Sequence, residues 1–135
     1  MMKYFTMGEL VSSKTADAHG IDNRCNREQQ QNLLLLVEKV LDPLREAYGK
    51  PIHVNSGFRC EKLNKLVGGA KNSDHMNGCA ADIVGTPNNK EENRKLYKLV
   101  SELGLSFDQL INESNYSWVH ISYKKEGNRH QRLRL

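Results

Sequence analysis

The stretch Ser73-Asp74-His75-Met76-Asn77-Gly78-Cys79-Ala80-Ala81-Asp82 gathers most of the residues in this chain whose types could do chemistry. Asp82 sits within Cys79-Ala80-Ala81-Asp82-Ile83-Val84, where its neighbours are small or apolar. A bare carboxylate in such a setting is costly to bury unless something pairs with it, and the partner is either a metal ion or an arginine. His75 precedes it by seven residues, with Gly78 between them to let the chain turn, so the two side chains can converge. His120 is a lone imidazole inside the apolar run Trp118-Val119-His120-Ile121-Ser122. Two neutral imidazoles and one carboxylate suit the borderline character of Zn²⁺, and three protein ligands leave a fourth tetrahedral position open. A histidine in a strand is more often structural than a ligand, and no HExxH helix is present. His19, His53 and His130 have no carboxylate in a comparable setting.

These residues need elements to hold them. From Asn26 to Tyr48 the apolar residues Leu33, Leu36, Val37, Val40, Leu41 and Leu44 recur at helical spacing. Asn26 is the expected cap, Pro43 the expected kink and Gly49 the stop. Residues 51–55 read as a strand, Ser56-Gly57-Phe58-Arg59 as a turn, 60–67 as a helix, 70–78 as a loop and 79–84 as a strand. A second helix spans 89–103, with Leu96, Leu99, Val100 and Leu103 turned inward. Strands at 107–112 and 118–123 form a hairpin about Asn115-Tyr116. Residues 1–25 are polar and irregular. The expected fold is α+β: one domain over 1–135, with a small central antiparallel sheet flanked by helices.

Composition excludes several classes. The chain has 135 residues and a net charge of +4. The segment 124–135 carries all of that excess through Lys124, Lys125, Arg129, Arg132 and Arg134 against Glu126, leaving the body neutral. A neutral body without interleaved aromatics argues against specific nucleic-acid binding, and the segment reads as a basic tail or a disordered end. The longest apolar run, Leu33 to Val37, is far short of the roughly 20 residues a membrane helix needs, so no membrane insertion is expected. The N-terminus shows no apolar signal region, which predicts cytoplasmic synthesis. Cys25, Cys60 and Cys79 are too few for a disulfide framework and read as reduced, mostly buried thiols, with a Cys60–Cys79 bridge as the alternative.

Ser73-x-His75-x-x-Gly78-x-Ala80-x-Asp82, followed by Trp118-x-His120 and preceded by Ser56-Gly57-Phe58-Arg59, resembles the zinc D-alanyl-D-alanine carboxypeptidases and VanY-like peptidases. Through Asp42-Pro43-Leu44-Arg45 and Val54-Asn55-Ser56-Gly57 it looks like their compact phage and prophage endolysin branch. The resemblance implies a hedgehog-like fold and a single Zn²⁺ held by His75, Asp82 and His120. It also implies hydrolysis of peptidoglycan stem peptides, by a carboxypeptidase or an endopeptidase, with a monomer acting at the bacterial wall after release through a phage holin. Arg59 is the candidate to stabilise the carbonyl oxygen or hold substrate, with a surface salt bridge as its structural reading. Ser73 would touch substrate, orient a ligand or simply cap the loop. Trp118 would line the pocket or pack in the core.

One departure stands out. Many members place an acidic general base three residues before the last zinc histidine, and here that position is Ser117. Glu113 is the natural substitute, because a turn centred on Asn115-Tyr116 sets it opposite Trp118, on the face of Ile111 and His120. A one-residue slip would point it away. Asp108, further from the turn, is the lesser alternative. The competing readings are a zinc-binding domain of this fold without turnover, serving wall binding or phage structure, and last a nucleic-acid-binding protein.

Overall fold

The computed structural model describes residues 2–135. It opens with two five-residue helices, α1 (Met7–Val11) and α2 (Lys14–Ala18), in the segment expected to be irregular. Local capping stabilises them. Thr6 and Glu9 form a capping box on α1, and the Ser13 hydroxyl accepts from Ala16 N–H on α2. Both are too short to hold without packing, which Leu10 and Ala16 supply by burial.

The long apolar pattern forms one continuous helical run. It comprises α3 (Arg27–Leu36), a widened π-type turn (Val37–Leu41) and α4 (Asp42–Tyr48). Asn26 caps its start, and Gly49, with φ +76°, ends it. The disturbance expected at Pro43 appears as this wider turn, in which Asp42 N–H donates back to Val37 O. All six expected core positions of this run are fully buried.

The remaining elements are β1 (His53–Ser56), α5 (Glu61–Leu66), a 3₁₀ turn (Asp74–Asn77), β2 (Ala80–Val84), α6 (Lys90–Glu102), β3 (Gln109–Glu113), β4 (Trp118–Ser122) and β5 (Gln131–Arg134). On α6, Leu96 and Val100 are buried, but Leu103 lies past the helix end and is exposed. The five strands run in the order β1-β2-β4-β3-β5. Neighbours are antiparallel except β3 and β5, which are parallel, so the sheet is mixed rather than purely antiparallel. The fold class is α+β, with helices packed against the sheet through one hydrophobic cluster.

The basic C-terminal segment is therefore neither a free tail nor a disordered end. β5 pairs with β3 from Gln109–Gln131 to Asn112–Arg134. It is anchored by Asp108, which is completely buried and takes a two-pronged ion pair from Arg129 at 3.0 and 2.9 Å, with Lys124 3.4 Å away. All three cysteines are free. Cys79 alone is buried, and burial pushes its thiol pKa up to about 11. Among the described residues, no helix is long and apolar enough to cross a membrane.

Candidate metal centre

Sheet register builds the site. Ser56, Asp82, His120, Ile111 and Leu133 are successive cross-strand partners from β1 to β5, so they form one row across one face of the sheet. Glu113 and Trp118 are partners in β3 and β4, two residues further along the same face. The hairpin thus has the register that directs Glu113 toward the row of Asp82 and His120. Three residues of its loop, Ser114, Asn115 and Tyr116, take positive φ values of 46°, 56° and 63°. Asn112 Oδ1 accepts from Tyr116 N–H at 2.6 Å, and Asn93 Nδ2 donates to Tyr116 O at 2.9 Å.

His75 arrives from outside the sheet on the 3₁₀ turn. Its position is fixed at three points. The Ser73 hydroxyl accepts from His75 N–H at 3.2 Å, His75 O accepts from Arg59 N–H at 3.1 Å, and His75 Nδ1 donates to Gly57 O at 2.7 Å. A carbonyl can only accept, so Nδ1 carries the proton and Nε2 keeps its lone pair. That Nε2 is buried and makes no hydrogen bond among the described residues. It lies 3.3 Å from Asp82 Oδ1, close but unaligned, while His120 Nδ1 is 2.9 Å from the same oxygen. Burial pushes the Asp82 carboxyl up, but opposing interactions, led by the hydrogen bond from the His120 imidazole, outweigh it and hold the group well below the usual carboxylate range.

The donor set fits zinc. The three ligand atoms lie within 4.8 Å of one another. Ligands at about 2.0–2.1 Å from a tetrahedral zinc stand about 3.3 Å apart, close to the 3.3 and 2.9 Å that separate Asp82 Oδ1 from the two imidazole nitrogens. The orphaned lone pair of His75 Nε2 is the atom such an ion would satisfy.

Around this cluster is an open cavity of about 560 Å³. Arg59, Ser73, Glu113 and Trp118 all border it. Arg59 is half-buried, and burial lowers its pKa while Asp82 partly restores it. Its Nε is buried with no acceptor among the described residues, so the surface salt bridge of its structural reading is not made there. Ser73 serves as the cap of the 3₁₀ turn, where it orients the backbone of His75. Glu113 makes no salt bridge among the described residues. Asp108 is spent on Arg129 and Lys124, which hold it down to about 2, and it does not border the cavity. Ser117 is exposed, its hydroxyl donating to Ser114 O within the turn. His19, His53 and His130 lie outside the cluster.

Sequence reasoning misses the supports. Gly57 matters through its carbonyl and through having no side chain, since a Cβ there would stand 2.2 Å from Leu10 O. Its place in Ser56-Gly57-Phe58-Arg59 is the available signal. Asn93, fully buried on the inner face of α6, is the other, and a lone asparagine among the buried positions of a helix is the clue to it.

An α+β fold that brings together two imidazoles and a carboxylate, one imidazole from a 3₁₀ turn and the other two groups from the sheet, beside a glutamate without a salt bridge and a half-buried arginine, has the make-up of a mononuclear metallopeptidase centre. Residues 3–122 match the Peptidase M15 family, and the chain belongs to it. The chain is also similar to the zinc D-Ala-D-Ala carboxypeptidase of Streptomyces albus G, at 44% identity over 72 residues. That alignment takes in 45% of this chain and 28% of the relative, so the chain spans under a third of that protein's length.

Proposed function

We propose that this chain hydrolyses peptide bonds in peptidoglycan stem peptides, with zinc held by His75, Asp82 and His120. The observation that carries the proposal is the row that sets Asp82 beside His120 on the same face as Glu113, with the lone pair of His75 Nε2 turned toward them.

Lewis-acid polarisation of the scissile carbonyl and a lowered pKa for the attacking water are the chemistry that zinc supplies when bound. The chain's own residues do the rest. Glu113 takes the proton of the attacking water and passes it to the leaving amine. The Arg59 guanidinium faces the charge that develops on the carbonyl oxygen, or holds a substrate carboxylate in the ground state. Trp118 offers an apolar wall to a substrate side chain. Ser73 acts through His75, by fixing its backbone.

We place the action at the bacterial wall, by a monomer. The endolysin-type setting, with a phage holin as the release route, belongs to the same proposal. Zinc-loaded protein incubated with purified muropeptides should release D-Ala or shorter fragments, read by mass spectrometry, and chelator should stop the release. Stoichiometric zinc with no turnover on any wall peptide would instead favour a binding domain without catalysis.

A further inference from the structure

A second polar cavity, also about 560 Å³, lies on the far side of Arg59. Arg59 and Val67 border both cavities, so the two adjoin at these residues. One wall of the second cavity is β1. His53, Val54, Asn55 and Ser56 all border it. Successive strand residues point to opposite faces, so four in a row can meet one cavity only along the strand's edge. β1 is an edge strand of the sheet, and none of its backbone groups bonds to backbone outside the sheet among the described residues. The opposite wall is the junction of α1 and α2, which brings Ser12, Ser13 and Lys14. Ser56, which opens the second cavity, is the cross-strand partner of Asp82, which borders the first. The buried, unpartnered Nε of Arg59 stands at the junction.

We infer that this groove is an extended subsite, in which a substrate peptide continues past Arg59 and lies along the free edge of β1. An exposed strand edge offers alternating N–H and C=O groups to an extended chain, giving length-dependent affinity with little demand on side-chain identity. The inference rests on the peptidase reading and names its substrate class: stem peptides that extend well beyond the scissile bond, rather than a terminal dipeptide alone. Energy from binding remote residues then raises turnover at the reacting bond.

The test has two arms. In the first, ¹⁵N-labelled protein without added metal is titrated with a synthetic stem pentapeptide, its C-terminal D-Ala-D-Ala dipeptide, and the wall disaccharide alone. The pentapeptide should shift the amides of residues 53–56 and 12–15, and the dipeptide should not. Shifts confined to the first cavity, or the same shifts from the disaccharide, would overturn the subsite. In the second arm, zinc-loaded protein should show kcat/KM at least about tenfold higher for the pentapeptide than for the dipeptide. Ser12→Trp, which fills the groove from its exposed wall, should collapse that ratio toward one. Equal kcat/KM for both peptides in the unmodified protein would overturn the subsite. Groove shifts in a protein that cuts neither peptide would uphold the subsite and overturn the peptidase reading.

Discussion

Asp82 and His120 are direct cross-strand partners on β2 and β4, with His120 Nδ1 2.9 Å from Asp82 Oδ1. The pairing is set by main-chain register, so the sheet delivers two of the three candidate ligands together. A cation that binds this folded arrangement and not the unfolded chain stabilises the fold by mass action, by about 2.7 kcal/mol at a hundred times its Kd. Thermal unfolding with and without zinc should therefore show a rise in Tm that chelator removes. Asp82→Ala should lose that rise. A full zinc-dependent shift in the variant would remove Asp82 from the ligand set.

Glu113 and Ser117 are separated by the same turn but make opposite predictions. Glu113→Gln keeps the shape of the side chain and deletes its basicity. It should lower kcat by about 10²–10⁴-fold while zinc stoichiometry stays the same. Ser117→Ala removes a hydroxyl committed to Ser114 O at the surface and should leave turnover unchanged. If Glu113→Gln is fully active, the proton is handled elsewhere.

What is legible in the sequence follows from how local each cause is. Asp82 among small and apolar neighbours, and His120 alternating within an apolar strand, declare themselves because strand geometry is local and an unpaired carboxylate there is costly. The facing of Glu113 and Trp118 is legible for the same reason, since the turn length fixes the register. β5 is not legible. Gln131-Arg132-Leu133-Arg134 has no apolar alternation, and its anchor is an ion pair between Asp108 and Arg129, 21 residues apart. α1 and α2 escape because five residues are too few for periodicity, although Thr6 and Glu9 spell a capping box. The second groove escapes too, because it is made by a strand edge meeting those unforeseen helices.

Asp108 should make the anchoring of β5 sensitive to acid. The Arg129 ion pair, helped by Lys124, outweighs burial and holds the Asp108 pKa down from 3.8 to about 2. A carboxylate depressed in the folded state adds stability above its unfolded pKa and loses it as the pH falls through the folded one. The contribution is thus complete above about pH 4 and fades toward about pH 2. Asp108→Asn should cost about 2–3 kcal/mol at neutral pH, somewhat below a fully buried pair because Arg129 is half-exposed. In urea titrations the gap between variant and parent should narrow as the pH drops from 4 to 2. A gap that is constant over that range would mean the ion pair contributes nothing.

Gly57 ties the metal cluster to the N-terminal helices, and its replacement should uncouple them. Phe58 N–H donates to Leu10 O at 2.8 Å, holding the turn after β1 against the end of α1. The approach is close enough that a Cβ on Gly57 would meet Leu10 O at 2.2 Å, so Gly57→Ala forces the backbone apart. The same residue's carbonyl takes the Nδ1 proton of His75. Shifting it loosens the bond that fixes the tautomer and aim of His75 Nε2, a kind of supporting contact whose loss costs about 10–100-fold in metal affinity. Gly57→Ala should therefore weaken zinc binding by about that factor and destabilise the fold by about 1–3 kcal/mol. Gly104→Ala provides the contrast. Gly104 has φ +66° but open space around it, so its alanine variant should lose about 1 kcal/mol of stability from backbone strain and keep its zinc affinity. Isothermal titration with zinc, paired with urea unfolding of both variants, separates the two effects. Equal zinc affinity in Gly57→Ala and the parent would show that the Gly57 carbonyl does not position His75.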